Sequence, residues 1–351
     1  MKKCCLSRAF TMIELMVSIF ITITIIASFY KLYNASVRTE RSSSIRVAVN
    51  LLGEQILDTL AESIRLVGLN SAKADYLANT SGGTEGIIRY AGEQRFIYLS
   101  PFGSPITKVA SVSGDYPNCT FTLFNSAAFN LGVTKLYFHN QDGFFKTSSM
   151  SVGTYSNEGV VVTTSGFDSG SYSGKTCKKV FPVGSLVTGE NFIYTLEYTK
   201  TTGNSLKLSY EKDGDSSQKG VLVDFSYNPS SKNSYSMPKF VLEYLIETCD
   251  GIGSCVTTWQ TPKGGNILSD EDIKGIVAVR FGFVLLSRKD RVSGGGNTDT
   301  NGLPTYCIFP DKNAVENYYC YQLPSFNYTA SVFRRVVYLS NYRFLKDQAQ
   351  E

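Results

Sequence analysis

The sequence predicts an α+β protein in which a long N-terminal helix precedes a large, antiparallel, β-rich globular head. Two patterns predict this class. A helical pattern, first wholly apolar and then amphipathic, occupies about residues 10–69, whereas short apolar and aromatic runs separated by Gly, Ser, Asn and Pro clusters fill residues 70–351. Six cysteines in the second part are a further observation, because they favour a disulfide-containing fold.

The first part of the predicted helix is long enough to cross a membrane. The apolar run from Phe10 to Tyr30 has 21 residues and would be about 31 Å long as a helix, which matches a bilayer core. Glu14 is its only charged residue. Because a carboxylate is costly in lipid, we expect Glu14 to have a functional role and a partner that neutralises it. A plain anchor or an ordinary secretory signal peptide would not explain Glu14.

The second part of the predicted helix has one apolar stripe. Its apolar residues recur at steps of three and four, as an amphipathic helix requires, and we expect them to seat the head on the helix. Gly53 is expected to soften this helix, at a cost of about 1 kcal/mol relative to Ala, and Gly68 is a predicted helix stop. The stripe consists of Ile45, Val49, Leu52, Ile56, Leu60, Ile64 and Val67.

The head is predicted to consist of strands bounded by turn residues. In the run Ile276–Leu286, apolar residues alternate with other positions, so we expect a strand with one buried side and Arg280 on the other side. The length allows one large core or two lobes. The predicted strands are Gly86–Leu99, Cys119–Phe124, Val133–His139, Val160–Thr164, Phe192–Thr199, Ser205–Tyr210, Lys239–Glu247, Gly275–Leu286 and Val332–Tyr338.

The segment Arg8-Ala-Phe-Thr-Met-Ile-Glu-Leu-Met16 resembles the class III leader junction of type IV prepilins and type II secretion pseudopilins. The resemblance implies that prepilin peptidase cuts between Ala9 and Phe10 and methylates the new N-terminus at Phe10. It also implies that Glu14 pairs with the free amine of a neighbouring subunit during assembly. Ala9 departs from the family, which usually has Gly before the cut.

Further tracts resemble PilW-type minor pilins, which are related to PulJ-type minor pseudopilins. They are Arg38–Leu69, Asp272–Arg280 and Phe333–Tyr338. The resemblance implies a leader at 1–9, a transmembrane or filament-core helix half at 10–30, an amphipathic half at 31–69 and a periplasmic head at 70–351. The middle of the head, about Tyr76 to Lys239, resembles no known family.

The implied function is structural and non-enzymatic. The chain would be a minor pilin of a type IV pilus, which helps to initiate assembly and sits at the tip, with adhesion and twitching motility as the associated processes. Its partners would be other minor pilins and the major pilin, bound through the helix, together with prepilin peptidase. It would reside in the bacterial inner membrane, single-pass, and later in the pilus at the cell surface. A minor pseudopilin of type II secretion and a tip adhesin or ligand-binding module are the alternatives.

The cysteines predict disulfides rather than a zinc site. Cys4 and Cys5 lie in the leader, and the six that remain permit 15 connectivities. A zinc site is disfavoured because there is no C-x-x-C pair and His139 is the one histidine. We expect neighbours in sequence to pair: Cys119 with Cys177, Cys249 with Cys255, and Cys307 with Cys320.

The sequence predicts no cofactor and no nucleic-acid partner. Asn297, Asp299 and Asn301 place oxygen ligands at alternate positions, as a calcium loop does, but Ile308 stands where a bidentate Glu is wanted, so a solvated loop is favoured. The formal charge of +4 includes three leader cations, which leaves 4 − 3 = +1, spread along the chain. His139 has no nucleophile in a recognisable turn around it, so no catalytic triad is predicted.

Overall fold

The structure of the chain is a computed structural model, and it confirms the predicted α+β class. Its contacts divide the chain into two compact units, Met1–Leu51 and Leu52–Glu351. The residues that the structure describes are 12–69, 71, 76–79, 86–104, 106–124, 135–138, 144–152, 160–167, 175–189, 191–200, 204–213, 215–226, 235–250, 254–262, 266–288, 302–309, 319–323 and 328–350.

Helix α1 runs from Met12 to Arg65. The helix therefore ends earlier than the predicted Leu69, because the chain turns over residues 66–69 and Gly68 adopts a left-handed conformation (φ 77°). Gly is favoured in this conformation because it has no Cβ. The apolar stripe is confirmed in the second unit, where Leu52 is partly buried and the other members are buried: Ile56, Leu60, Ile64 and Val67.

A five-stranded antiparallel sheet has the strand order β1-β2-β9-β10-β11. The prediction of one strand over Gly86–Leu99 is wrong: the chain reverses at Gly92–Gln94 and forms a hairpin, and Gly92 N–H donates to Arg95 O across the turn. The strands are β1 (Ile88–Ala91), β2 (Arg95–Ser100), β9 (Phe192–Thr199), β10 (Ser205–Lys212) and β11 (Asp215–Ser226).

A closed six-stranded antiparallel barrel is inserted between β2 and β9. Its interior contains aromatic side chains of three elements, with Phe121, Phe138 and Phe181 in mutual ring contact at 4.7–5.7 Å. A short helix, α2 (Cys177–Val180), contributes two further buried residues. The strands, in barrel order, are β3 (Ile106–Asp115), β4 (Asn118–Leu123), β7 (Val160–Phe167), β6 (Phe144–Val152), β5 (Lys135–Phe138) and β8 (Leu186–Thr188).

A four-stranded antiparallel sheet has the order β13-β12-β14-β17. A two-stranded hairpin of β15 (Thr305–Cys307) and β16 (Cys320–Gln322) packs on one of its faces, and α1 residues of the second unit pack on the other. The strands of the sheet are β12 (Tyr235–Cys249), β13 (Cys255–Gln260), β14 (Ile276–Arg288) and β17 (Tyr328–Tyr338).

The expectation that β14 has one buried side is therefore wrong. Both faces of the strand are covered, and every residue from Ile276 to Ser287 is buried, including Arg280 at 7% exposure. A central strand that is covered on both faces has a nearly continuous apolar sequence. The continuous apolar run of β14 therefore predicted its burial better than the alternation of its residues did.

Helices α3 (Asp270–Lys274) and α4 (Ser340–Gln350) also belong to the second unit. Helix α3 begins after Ser269, whose hydroxyl accepts from the backbone N–H of Asp272, as an N-cap does. Helix α4 follows β17 and buries Tyr342 and Leu345.

Candidate assembly surface

The N-terminal segment of α1 is apolar on all sides and exposed throughout. Residues 12–33 are all exposed, and Ile13, for example, is 74% exposed. This is the one helix in the described part of the chain that is long and apolar enough to cross a membrane. Its most apolar window has a mean hydropathy of 2.2, and none of that window is buried. A helix that is apolar all round requires an apolar environment such as lipid or other helices.

The polar side chains of this segment make hydrogen bonds within the helix. Thr22, Thr24 and Ser28 each donate to the carbonyl four residues earlier at 2.7–2.8 Å, and Ser18 donates to Leu15 O at 2.8 Å. In a hydrocarbon environment an unpaired hydroxyl would be costly, so these bonds make the segment compatible with lipid. Such local bonds to backbone carbonyls are the usual arrangement of Ser and Thr in membrane helices.

Glu14 lies in the first turn of α1 and is exposed. The predicted processing residues, Ala9 and Phe10, lie outside the described residues, so the cut and the methylation remain predictions.

The three disulfides join the pairs expected from neighbourhood in sequence. Cys119–Cys177 links β4 to α2 inside the barrel core. The other two connect paired strands and form Cys249–Cys255, between β12 and β13, and Cys307–Cys320, between β15 and β16. Each disulfide thus cross-links two elements of the head that lie side by side.

The calcium hypothesis stays untested, because Asn297, Asp299 and Asn301 lie outside the part of the chain that the structure describes. His139 lies outside it as well. Asp213, another acid in a Gly-containing turn, forms an ion pair with Arg89 at 3.1 Å. Among the described residues no group of three or more His, Cys, Asp or Glu side chains lies close enough to hold a metal ion.

A buried charged cluster that the sequence did not predict lies under the β15–β16 hairpin. The carboxylate of Glu243 is fully buried, forms an ion pair with Arg280, and accepts from Thr261 Oγ1 at 2.6 Å and from Tyr319 OH at 2.8 Å. The Arg280 guanidinium lies between the rings of Trp259 and Phe309, at 4.5 and 4.3 Å from their centroids.

Two signals could have revealed this cluster. Glu243 is an acid within the apolar run Lys239–Glu247, and Arg280 is a base within the apolar run of β14. Because charges are rarely buried unless they are paired, two opposite charges in two buried strands predict an ion pair between those strands. The pairing register of β12 and β14 places the two residues directly opposite each other.

No family model matches the sequence, and no curated protein matches it at a significant level. Among solved structures, a type IV-like pilin from Thermus thermophilus matches with a TM-score of 0.29 and 10% sequence identity, over 83% of this chain and 98% of that chain. A TM-score of this size is too low to establish a shared fold.

Proposed function

We propose that the chain is a pilin-like subunit that is anchored in a membrane by the N-terminal segment of α1 and assembles with other pilins through the same segment. The observation that carries the proposal is the exposure of residues 12–33 on all sides, because an apolar helix of this length needs lipid or other helices around it. The hydroxyl groups of this segment form hydrogen bonds within the helix, so they can lie in lipid or against other helices without losing a partner.

Glu14 has a specific role in this proposal. Prepilin peptidase cuts between Ala9 and Phe10 and methylates Phe10, which leaves a free amine at the start of the helix. The Glu14 carboxylate then pairs with the amine of a neighbouring subunit, so two charges that are unfavourable in an apolar environment become one neutral pair. The formation of this pair selects one register between adjacent helices.

The large head favours a minor subunit of a type IV pilus rather than the major one. Residues 52–351 form one compact unit of 300 residues, and a unit of this size on every subunit would crowd a repetitive shaft. A single copy at the tip avoids this crowding. The subunit would therefore help to initiate the pilus in the inner membrane and remain at its tip, in contact with other minor pilins.

Intact-mass measurement of the protein recovered from membranes tests the processing step. We expect the loss of residues 1–9 and the gain of one methyl group. Retention of Met1 would contradict processing and leave a plain membrane anchor.

Replacement of Glu14 by Ala tests assembly. We expect the Glu14→Ala variant to remain in the membrane but to be absent from purified filaments. Thr24→Val is the matched control in the same exposed segment, because it removes a hydroxyl that bonds only within its own helix. Equal incorporation of Glu14→Ala and the parent would contradict the proposed role of the carboxylate.

A minor pseudopilin of a type II secretion system is the alternative within the same class. The exposed helix supports it equally well. A deletion strain separates the two: loss of pili with normal secretion supports the pilus assignment, whereas loss of secretion with normal pili supports the pseudopilin.

A binding module at the pilus tip is the second candidate function, and the inserted barrel favours it. The barrel has its own buried core, and its ends are adjacent because Ile106 pairs with Thr188. Residues 106–188 can therefore be replaced by a short Gly-Ser linker that leaves β2 and β9 paired. Loss of surface attachment with normal piliation would support a binding role of the barrel, and unchanged attachment would exclude it.

A further inference from the structure

A group of cations follows the exposed apolar segment along α1. Lys31, Arg38, Arg41 and Arg46 are all exposed, and Glu40 is the one acid among them, so residues 31–46 carry 4 − 1 = +3. The apolar segment N-terminal to them carries the single charge of Glu14 between Met12 and Tyr30. The cations therefore begin where the apolar run ends.

Aromatic side chains mark the boundary between these two segments. Phe29, Tyr30 and Tyr33 are exposed by 67–68%. Tyrosine is enriched at membrane–water interfaces, where the ring lies among the headgroups and the hydroxyl reaches water. If the helix is inserted as the proposed function requires, these rings place the edge of the hydrocarbon near Tyr30.

The rise of the helix then decides which cations are close to the headgroups. For a helix along the membrane normal, Lys31 lies about 2 Å beyond Tyr30, Arg38 about 12 Å and Arg46 about 24 Å, at 1.5 Å per residue. Long side chains on a helix point toward its N-terminus, so all three charged groups lie closer to the membrane than these backbone distances, with Lys31 and Arg38 the closest. The Debye length is about 8 Å at physiological ionic strength, so Arg46 is too far away to attract a headgroup.

Lys31 and Arg38 also lie on the same side of the helix. They are seven residues apart, which corresponds to two turns with an offset of about 20°. Both side chains can therefore approach the same region of the membrane surface.

We propose that Lys31 and Arg38 bind the headgroups of anionic phospholipids on the side of the membrane that carries the head. This inference rests on the membrane insertion contained in the proposed function. The bound lipids hold the inserted helix at a defined depth, and they oppose its extraction into a filament until a neighbouring subunit replaces them.

The test uses the full-length protein reconstituted in phosphatidylcholine bilayers with a trace of spin-labelled phosphatidylglycerol or spin-labelled phosphatidylcholine. Electron paramagnetic resonance measures the fraction of each labelled lipid that is immobilised by the protein. At low salt we expect the parent to prefer phosphatidylglycerol over phosphatidylcholine by about five-fold, the factor that corresponds to about 1 kcal/mol for one cation beside an anionic headgroup.

Three comparisons decide the outcome. The variant Lys31→Gln/Arg38→Gln should show little preference, as should the parent in 1 M salt, where the Debye length falls to about 3 Å. Arg46→Gln is the matched control, because it removes the same charge from the same helix farther from the membrane, and it should retain the preference. No preference in the parent, or an equal loss in Arg46→Gln, would overturn the inference.

Failure of the proposed function gives a different result. If the helix does not insert, neither labelled lipid has an immobilised fraction. If the helix inserts without lipid preference, both labelled lipids are immobilised equally, and only the inference about Lys31 and Arg38 is wrong.

Discussion

At the scale of single residues, Gly53 shows how one position controls the packing of α1 against β17 within the second unit. The sequence indicated that Gly53 would soften the helix, but α1 continues through it. A Cβ at this position would overlap the ring of Phe333, which is buried and stacks on Phe283 at 5.2 Å between ring centroids. Gly53 is therefore explained by the close approach of β17 to the helix.

We expect Gly53→Ala to destabilise the protein by up to about 2 kcal/mol, because overpacking at Phe333 costs about 1–3 kcal/mol and the gain in helix propensity offsets only about 1 kcal/mol of it. Chemical denaturation measures the change. The double variant Gly53→Ala/Phe333→Leu should lose less stability than the sum of the two single changes, since the smaller side chain makes room for the methyl group. A Gly53→Ala variant more stable than the parent would show that the contact is not tight.

The buried ion pair of Glu243 and Arg280 is a second contact between single residues that affects the stability of the head. We expect Glu243→Gln to cost about 3–5 kcal/mol, because the Arg280 charge loses its counterion inside the head. The change is measured by denaturation followed with the fluorescence of Trp259, the only tryptophan of the chain, which lies on the guanidinium.

Glu62→Gln is the control for this prediction. It breaks the ion pair of Glu62 with Arg65, in which the two side chains are 49% and 58% exposed. Exposed ion pairs contribute at most about 1 kcal/mol to stability. The variant Glu243→Leu/Arg280→Met should recover much of the loss, since it removes both charges. An equal loss of stability in Glu243→Gln and Glu62→Gln would show that burial does not strengthen the contribution of the ion pair.

At the scale of elements, helix α4 is held to the head by polar contacts at two points. Tyr342 OH donates to Ile273 O at 2.9 Å and accepts from Asn79 Nδ2 at 2.6 Å, while Asn79 Oδ1 accepts from two backbone N–H groups of the β1 region. Farther along, Lys346 Nζ lies 2.9 Å from Glu247 Oε2. The hydrogen bond from Lys346, followed by its charge and that of Arg343, lowers the pKa of Glu247, although partial burial opposes the shift.

This pKa shift predicts a pH dependence for the stability of the α4 contact. Because the pKa of Glu247 is lower in the folded state, the ion pair stabilises the protein above the ordinary carboxyl pKa of 4.5, and this contribution disappears as pH falls through the folded value. We expect Glu247→Gln to cost about 1–3 kcal/mol near neutral pH and almost nothing in acid. Unfolding of both proteins across pH measures the difference.

Glu271→Gln is the matched control for the pH prediction. Glu271 is an exposed carboxylate of α3 close to the same surface, so its removal should change stability little at any pH. A difference between Glu247→Gln and the parent that does not depend on pH would show that the loss arises from packing rather than from the carboxylate charge.

At the scale of the whole molecule, the head combines two sheets with an inserted barrel. The two sheets share a core: Tyr198 OH donates to Met237 O at 3.0 Å, and Tyr244 OH donates to Gly92 O at 3.0 Å. Helix α1 joins this core through Ser63, whose hydroxyl lies 2.6 Å from that of Tyr98. The barrel, by contrast, has its own hydrophobic cluster.

We expect a chain in which residues 106–188 are replaced by a short Gly-Ser linker to fold. The pairing of β2 with β9 and the core between the two sheets do not require the barrel, and its ends are already adjacent. Cooperative unfolding that retains the Trp259 emission spectrum of the parent would support this prediction. A molten protein, without cooperative unfolding, would show that the barrel contributes to the core of the head.

The sequence by itself determined the features that depend on local pattern. The apolar period and the length of α1 follow from residues close in the chain, as do strands such as Phe192–Thr199, because their hydrophobic pattern and turn residues are local. The cysteine pairs also agree with proximity in sequence. For the candidate site, the apolar segment and Glu14 could be predicted, since the length and composition of the segment are visible in the sequence.

Only the tertiary structure decided the features that depend on distant partners. The burial of Arg280 requires the β15–β16 hairpin on one face of the sheet, and the need for Gly at position 53 requires Phe333, which lies 280 residues later in the chain. The closure of the barrel likewise pairs β3 with β8, which are separated by about 80 residues. Local pattern determines which side of an element is apolar, but the free energy of burial depends on what covers that side.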